Sequence, residues 1–232
     1  MSGLQRFSTA VLDLLFPPRC AFCGKLMDAS GDGVCDSCKA SLPFIEDDKV
    51  LRKVGGFPCA VAFYYEEPVS GGVRALKFGR KSWRAKVFGR YVAQVAAGHL
   101  SGQFDAVTYV PVSRKRSYER GFDQARLLAQ AAAKAWGVKA EKTARKVRNN
   151  RAQSSLEDPN ARRENVKGVY AVPHPEQVRG RRFLLIDDVA TTGSTLSACA
   201  GALMAAGAAS VVCAALAGGH PEDEKRKIPP RK

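Results

Sequence analysis

Short, largely apolar runs, rather than strict alternation, carry most of the order in this chain. Residues 60–65 (AVAFYY), 104–110 (FDAVTYV), 183–186 (FLLI) and 208–216 (AASVVCAAL) are short and bounded by turn chemistry. Runs of this kind read as strands buried on both faces, as in a parallel sheet. Between them, apolar residues recur at helical spacing. Val73 to Leu76, then Trp83, Val87, Phe88, Tyr91, Val92 and Val95, predict a covering helix. Trp83 is expected in its core, with Lys77, Arg80, Lys81, Arg84 and Lys86 at polar positions. Residues 127–136 predict an Ala-rich helix closed by Gly137, residues 138–147 a short strand, and residues 196–206 a helix between the last two runs. The expected fold class is therefore α/β, a parallel sheet flanked by helices.

The first 56 residues follow a different pattern. Leu4, Phe7, Val11, Leu14 and Leu15 share one face of an amphipathic opening helix, which Asp13 separates from a signal-peptide pattern and Pro17-Pro18 stop. Cys20, Cys23, Cys35 and Cys38 then give Cys-x2-Cys-x11-Cys-x2-Cys. Two such knuckles place four thiolates around one tetrahedral ion; zinc is expected, and a rubredoxin-like iron site uses the same ligands. A segment this short lacks a core, so the metal would supply its folding energy. Gly55 to Pro58 marks the boundary, giving a ribbon over residues 1–56, a main domain over 57–220 and a charged tail over 221–232.

Composition narrows the partners. No run approaches the roughly 20 apolar residues of a membrane-spanning helix. Seven cysteines, four of them in metal spacing, fit a reducing cytoplasm better than a disulfide scaffold. Against 22 acids stand 37 Lys and Arg, a formal charge of +15 that suits a polyanion if the cations cluster and is a solvated surface if they do not. Arg19, Lys25 and Lys39 beside Phe22 make the ribbon a candidate contact for single-stranded DNA.

The densest chemistry lies in residues 183–195, FLLIDDVATTGST. Asp187 and Asp188 close the strand at its carboxyl end, where open α/β sheets bind ligands. Thr191, Thr192, Gly193, Ser194 and Thr195 then lead into a helix N-terminus, whose unpaired N–H groups form an anion cradle. It is neither a Walker loop nor a dinucleotide fingerprint. Carboxylates beside a phosphate cradle fit a sugar phosphate. A second basic site follows the strand at 104–110, where Ser113, Arg114, Lys115, Arg116 and Arg120 precede Gly-Phe-Asp123-Gln. Residues 148–165 are long, polar and without apolar period, as expected of a lid or a surface loop.

FLLIDDVATTGST resembles the phosphoribosyl-pyrophosphate (PRPP) motif of type I phosphoribosyltransferases. Val-Pro-Val, the basic run and Arg-Gly-Phe-Asp-Gln, with the cysteine ribbon, are similar to the ComF/GntX family, which usually has Asn at the position of Asp123. The resemblance implies that Asp187 and Asp188 hold the ribose hydroxyls and that residues 191–195 hold the 5-phosphate. It also implies a pyrophosphate loop over residues 113–116, and a lid in which Arg151, Gln153, Arg162 or Arg163, Asn165 and Val166 match the pattern. Arg151, Asp187 and Asp188 are the expected catalytic residues, with Mg²⁺ accompanying PRPP. Hypoxanthine-guanine enzymes carry Asp where Thr191 stands, which argues against purine transfer and leaves the acceptor unnamed. Three functions follow as expectations: a phosphoribosyltransferase, a PRPP or nucleotide sensor without turnover, and a nucleic-acid accessory in competence, meeting single-stranded DNA or DNA-uptake proteins.

Overall fold

The computed structural model describes residues 17–28, 31–79, 81–148 and 168–220. The opening helix, the lid positions Arg151, Gln153, Arg162, Arg163, Asn165 and Val166, and the charged tail lie outside them. The ribbon contributes α1 (Asp36–Ser41) and α2 (Asp47–Val50), followed by β1 (Leu51–Val54), β2 (Phe57–Tyr64), α3 (Val69–Phe78) and α4 (Arg84–Leu100). Next come β3 (Ala106–Tyr109), α5 (Arg114–Arg120), α6 (Gln124–Ala133), β4 (Ala140–Glu141), β5 (Arg145–Lys146) and β6 (Tyr170–Ala171). The last elements are β7 (Arg182–Ala190), α7 (Ser194–Ala205) and β8 (Ser210–Gly218).

Six strands form one sheet in the order β1-β2-β8-β7-β3-β4. Only the β1–β2 hairpin is antiparallel; the other pairs run parallel, with Tyr109 beside Ile186 and Ile186 beside Ala214. Phe183, Leu184, Leu185 and Ile186 are all fully buried, so both faces of the central strand are covered. Packed against each other, α4 and α6 cover β2, β8, β7 and β3, while α7 packs on β7 and β8. Because the parallel strands share a direction, their carboxyl ends meet at one edge. That edge carries Asp187, Asp188 and Pro111.

The single helix expected over Val73 to Val95 is two, broken after Phe78, where Gly79 caps α3. Trp83 is not core: it precedes α4 and is 42% exposed. The buried stripe of α4 is instead Arg84, Phe88, Val92, Ala96 and Leu100, one residue out of phase with Trp83. Arg84 is 2% exposed, where charge patterning had put it on the solvent side. Its Nη1 donates to the carbonyls of Ala21 and Phe22, the latter at 2.8 Å, inside the first cysteine knuckle.

The ribbon is thereby built onto the main domain. Phe22, 2% exposed, sits 5.1 Å from Phe88, 5.9 Å from Phe63 and 6.0 Å from Tyr91, ring centre to ring centre. The stacking role expected of Phe22 toward a nucleic-acid base is therefore closed to it; burial of an aromatic ring in this cluster is worth more than an exposed platform. Gly72 lets the backbones meet, since a Cβ there would stand 2.9 Å from Phe88 and 3.3 Å from the Ala21 carbonyl. Strand β1 belongs to the main sheet although it precedes the Gly55–Pro58 turn.

Replacing Arg84 by Met should strip two buried carbonyls of their donor and destabilise the zinc-loaded protein by about 2–3 kcal/mol. That corresponds to a fall in Tm of about 5–10 °C. An unchanged thermal melt would show that Arg84 does not clamp the ribbon.

Candidate functional site

The carboxyl edge of the sheet opens into a cleft of about 300 Å³ between the end of β7 and α5. Asp187 and Asp188 are 7% and 3% exposed at its floor, and the strand continues through them to Ala190. Asp188 N donates to Asp187 Oδ1 at 2.8 Å, and Lys77 Nζ from α3 lies 2.9 Å from Asp188 Oδ1. The remaining oxygen, Asp188 Oδ2, is buried and has no partner among the described residues. Burial first, and then the neighbouring Asp188 charge, push the Asp187 carboxyl well above the ordinary carboxylate range; Lys77 opposes both.

From Ala190 the chain turns through residues 191–193 into α7. Gly193 precedes that helix at φ 64°, and a Cβ there would fall 1.8 Å from Val54 of β1, so only glycine fits both the backbone and the packing. Ser197 N donates to Gly193 O at 2.8 Å, and the Thr192 and Ser194 hydroxyls are 2.9 Å apart. Thr191 and Thr195 are exposed to the cleft. A twelve-residue helix beginning at Ser194 opens its N-terminus beside that space, with hydroxyls around it.

The basic run divides. Residues 114–120 are a helix rather than a loop, because Ser113 caps them, its Oγ accepting from Arg116 N at 3.3 Å. Arg116 and Arg120, one turn apart, line the cleft with the acids. Arg114 and Ser117, on another face, line a neighbouring cavity. Lys115 lines neither and lies 4.0 Å from Glu119. Arg120 is fixed by Gln124 Oε1 at 2.8 Å and by the Phe78 ring at 5.2 Å. Asp123 caps α6, accepting from Arg126 N and Val112 N, each at 3.1 Å, which gives this position a structural role.

Lys77, Lys146, Tyr170 and Gln124 also line the cleft, and sequence reasoning did not single them out as site residues. Lys146 and Tyr170 pair across β5 and β6, with Lys146 Nζ 5.8 Å from the Tyr170 ring centre. Burial and the Arg116 charge lower the Lys146 pKa, while Asp187 raises it. These two residues flank residues 149–167 in sequence, so their nearness to Asp187 had no local signal. Lys77 was visible as a helix cation, but its acid partner is 111 residues away.

In the ribbon, the Sγ atoms of Cys20, Cys23, Cys35 and Cys38 all lie within 4.8 Å of one another, and Cys23 and Cys35 are 3.7 Å apart. A tetrahedron with metal–sulfur bonds of about 2.3 Å has edges of about 3.8 Å, so the set fits zinc. Burial raises the Cys20 thiol pKa, but bonding from the Cys35, Cys23 and Phe22 backbone outweighs it and brings the value down to about 6. Burial, with crowding by the other sulfurs added to it, pushes Cys38 up. Four thiolates can stand together only around a cation.

The sequence matches the double zinc ribbon domain over residues 11–50 and the phosphoribosyl transferase domain over residues 95–231. This chain belongs to the phosphoribosyl transferase family, in the ComF-type branch that carries an N-terminal zinc ribbon. It is 30% identical over 220 residues to the DNA utilization protein YhgH of Salmonella typhimurium, covering 85% of this chain and 96% of that one. Identity to the Escherichia coli protein of the same name is 32% over 153 residues, 63% of this chain and 66% of the relative. Competence protein F of Haemophilus influenzae is 26% identical over 186 residues, 78% of this chain and 76% of the relative. Among solved structures, the glutamine PRPP amidotransferase of B. subtilis is 23% identical with a TM-score of 0.39, over 59% of this chain and 26% of that one. No described helix is long and apolar enough to cross a membrane.

The buried acid pair predicts a trade between stability and binding. With its pKa raised in the folded protein, Asp187 contributes most favourably below the unfolded value of 3.8, and its penalty grows as pH rises toward the folded value. Asp187→Asn should therefore raise Tm near pH 7 by about 2–4 °C. The gain should shrink as the pH is lowered toward 4. A lower Tm at neutral pH would show that the Asp187 charge is stabilising.

Proposed function

We propose that the cleft binds PRPP, with the ribose hydroxyls on Asp187 and Asp188 and the 5-phosphate on the Thr191–Thr195 loop. The observation that carries this reading is Asp188 Oδ2, a buried carboxylate oxygen without a partner among the described residues, beside a helix N-terminus built for an anion. A buried carboxylate oxygen left without a partner is costly, and a hydroxyl or a hydrated cation would complete it. The oxygen donors of the acid pair also suit Mg²⁺, which when bound would neutralise charge on the pyrophosphate as it leaves. Arg116, Arg120 and Lys146 face the same space and would hold the phosphates at the other end of the donor. Arg151 and Gln153, expected to serve the pyrophosphate, lie outside the described residues.

Transfer at C1 breaks the bond to pyrophosphate and forms one to an acceptor, and the chain supplies position and charge rather than a nucleophile. Among acceptors, a purine is disfavoured because Thr191 stands where a purine-directed Asp would be. A sensor that binds PRPP without turnover uses the same residues. The relatives named for DNA utilization and competence support a second reading, an accessory role in handling single-stranded DNA in the cytoplasm. The ribbon's part in that reading rests on its cations alone, since Phe22 is buried.

Calorimetric titration of PRPP into the zinc-loaded protein tests the first reading. Saturable binding that strengthens with Mg²⁺ is expected. In the Asp187→Asn/Asp188→Asn protein, affinity should fall by two orders of magnitude or more with the fold retained. Equal affinity in parent and double variant would remove the ribose assignment.

A further inference from the structure

A second cavity of about 480 Å³ adjoins the PRPP cleft, and the two share Pro111, Val112 and Lys146. Arg114, Arg126, Lys142 and Arg145 line it from three separate segments, α5, α6 and the stretch from β4 to β5. Each of the four is exposed, and none has an acid partner among the described residues. Elsewhere on the surface some basic residues are matched, though others, such as Lys25, Lys53, Lys134 and Arg179, are exposed without an acid partner among the described residues. Arg181 meets Glu141 at 2.7 Å, Arg182 meets Asp105 at 2.5 Å, and Lys39 meets Asp32 at 3.1 Å. What the four share is one cavity, which they line from three segments beside the first cleft.

The one acid lining the cavity does not neutralise it. Asp123 spends both oxygens on backbone donors, Arg126 N and Val112 N, and burial pushes its pKa up, which favours its neutral form. Ser117 and Tyr109 add hydroxyl-bearing side chains to the wall. Four unmatched cations, hydroxyls and an acid occupied elsewhere form a container for phosphate oxygens.

We propose that this second cavity is an anion subsite for a phosphate ester other than the ribose 5-phosphate of the first cleft. It takes the phosphate of a nucleotide or of a nucleic-acid strand and seats it beside Lys146, where the two cavities meet. The ligand that this protein brings to its sugar-phosphate cleft is therefore itself phosphorylated. Only the content of the first cleft rests on the PRPP reading; the second subsite stands on its own lining.

The test uses the full-length zinc-loaded chain and two probes, thymidine 5′-monophosphate and a single-stranded thymidine hexanucleotide, titrated at low salt. The variant is Arg126→Gln/Lys142→Gln/Arg145→Gln, which leaves every residue assigned to the first cleft in place. Affinity for at least one probe should fall about tenfold or more, with a shallower dependence on salt. PRPP affinity should stay within about twofold of the parent. Loss of the mononucleotide places a monoester in the subsite; loss of the hexanucleotide alone places a strand backbone there. Parent-like binding of both probes by the variant overturns the proposal, as does failure of the parent to bind either. A matching loss of PRPP would overturn it too, by making the cavities one site. Should the triple variant fail to fold, Lys142→Gln alone is expected to weaken the same probe about threefold, and no change would count against the subsite. Failure of PRPP to bind the parent, with probe binding retained, would sink the reading of the first cleft and leave this one standing.

Discussion

Two adjacent carboxylates held out of water at the end of the central strand are the constraint around which the rest of this structure is arranged. Neither acid can be accommodated there by the sheet alone, because burial and mutual repulsion act in the same direction. Lys77 from α3 meets one oxygen of Asp188, Asp188 N–H meets Asp187, and one oxygen remains unmet among the described residues. Cations from α5 and β5 ring the same space without forming ion pairs with the acids. Such a balance is incomplete by design of the fold, and a ligand carrying both hydroxyls and phosphates would complete it.

That arrangement depends on elements far from the chemistry. Lys77 sits on α3, whose Gly72 packs against the first cysteine knuckle and against Phe88 of α4. Arg84, at the start of α4, holds the carbonyls of that knuckle. The metal ribbon and the helix that presents Lys77 to the acids therefore share one packed interface, with Phe22 at its centre. Val54 of β1 lies against Gly193, so the hairpin after the ribbon also shapes the Thr191–Thr195 loop. The ribbon is part of the domain's core, which explains why its aromatic ring is not available to a nucleic acid.

Legibility in the sequence followed the range of the interactions. The strand FLLI, the acids after it and the Thr-rich turn are contiguous, and their placement at a parallel strand end could be read directly. The four cysteines were equally plain, since metal spacing is local. Arg84 was misplaced because a charged residue in a helical stretch reads as solvent-facing, and only the knuckle carbonyls justify its burial. Lys146 and Tyr170 meet across β5 and β6 from either side of a long polar segment, and no spacing rule joins them. The basic run was visible, but its division between two cavities was not, because that depends on whether residues 114–120 coil or extend.

The helical state of α5 gives this segment a property that a loop would lack. In a loop, cations near a phosphate are interchangeable, and one residue more or less shifts them only slightly. In a helix each residue turns the next by about 100°. One inserted neutral residue between Ser113 and Arg116 would carry the basic side chains around the axis and aim them into different cavities, with net charge untouched. For this stretch phase matters as much as content, and the order Arg-Lys-Arg is an angular instruction as well as a measure of charge.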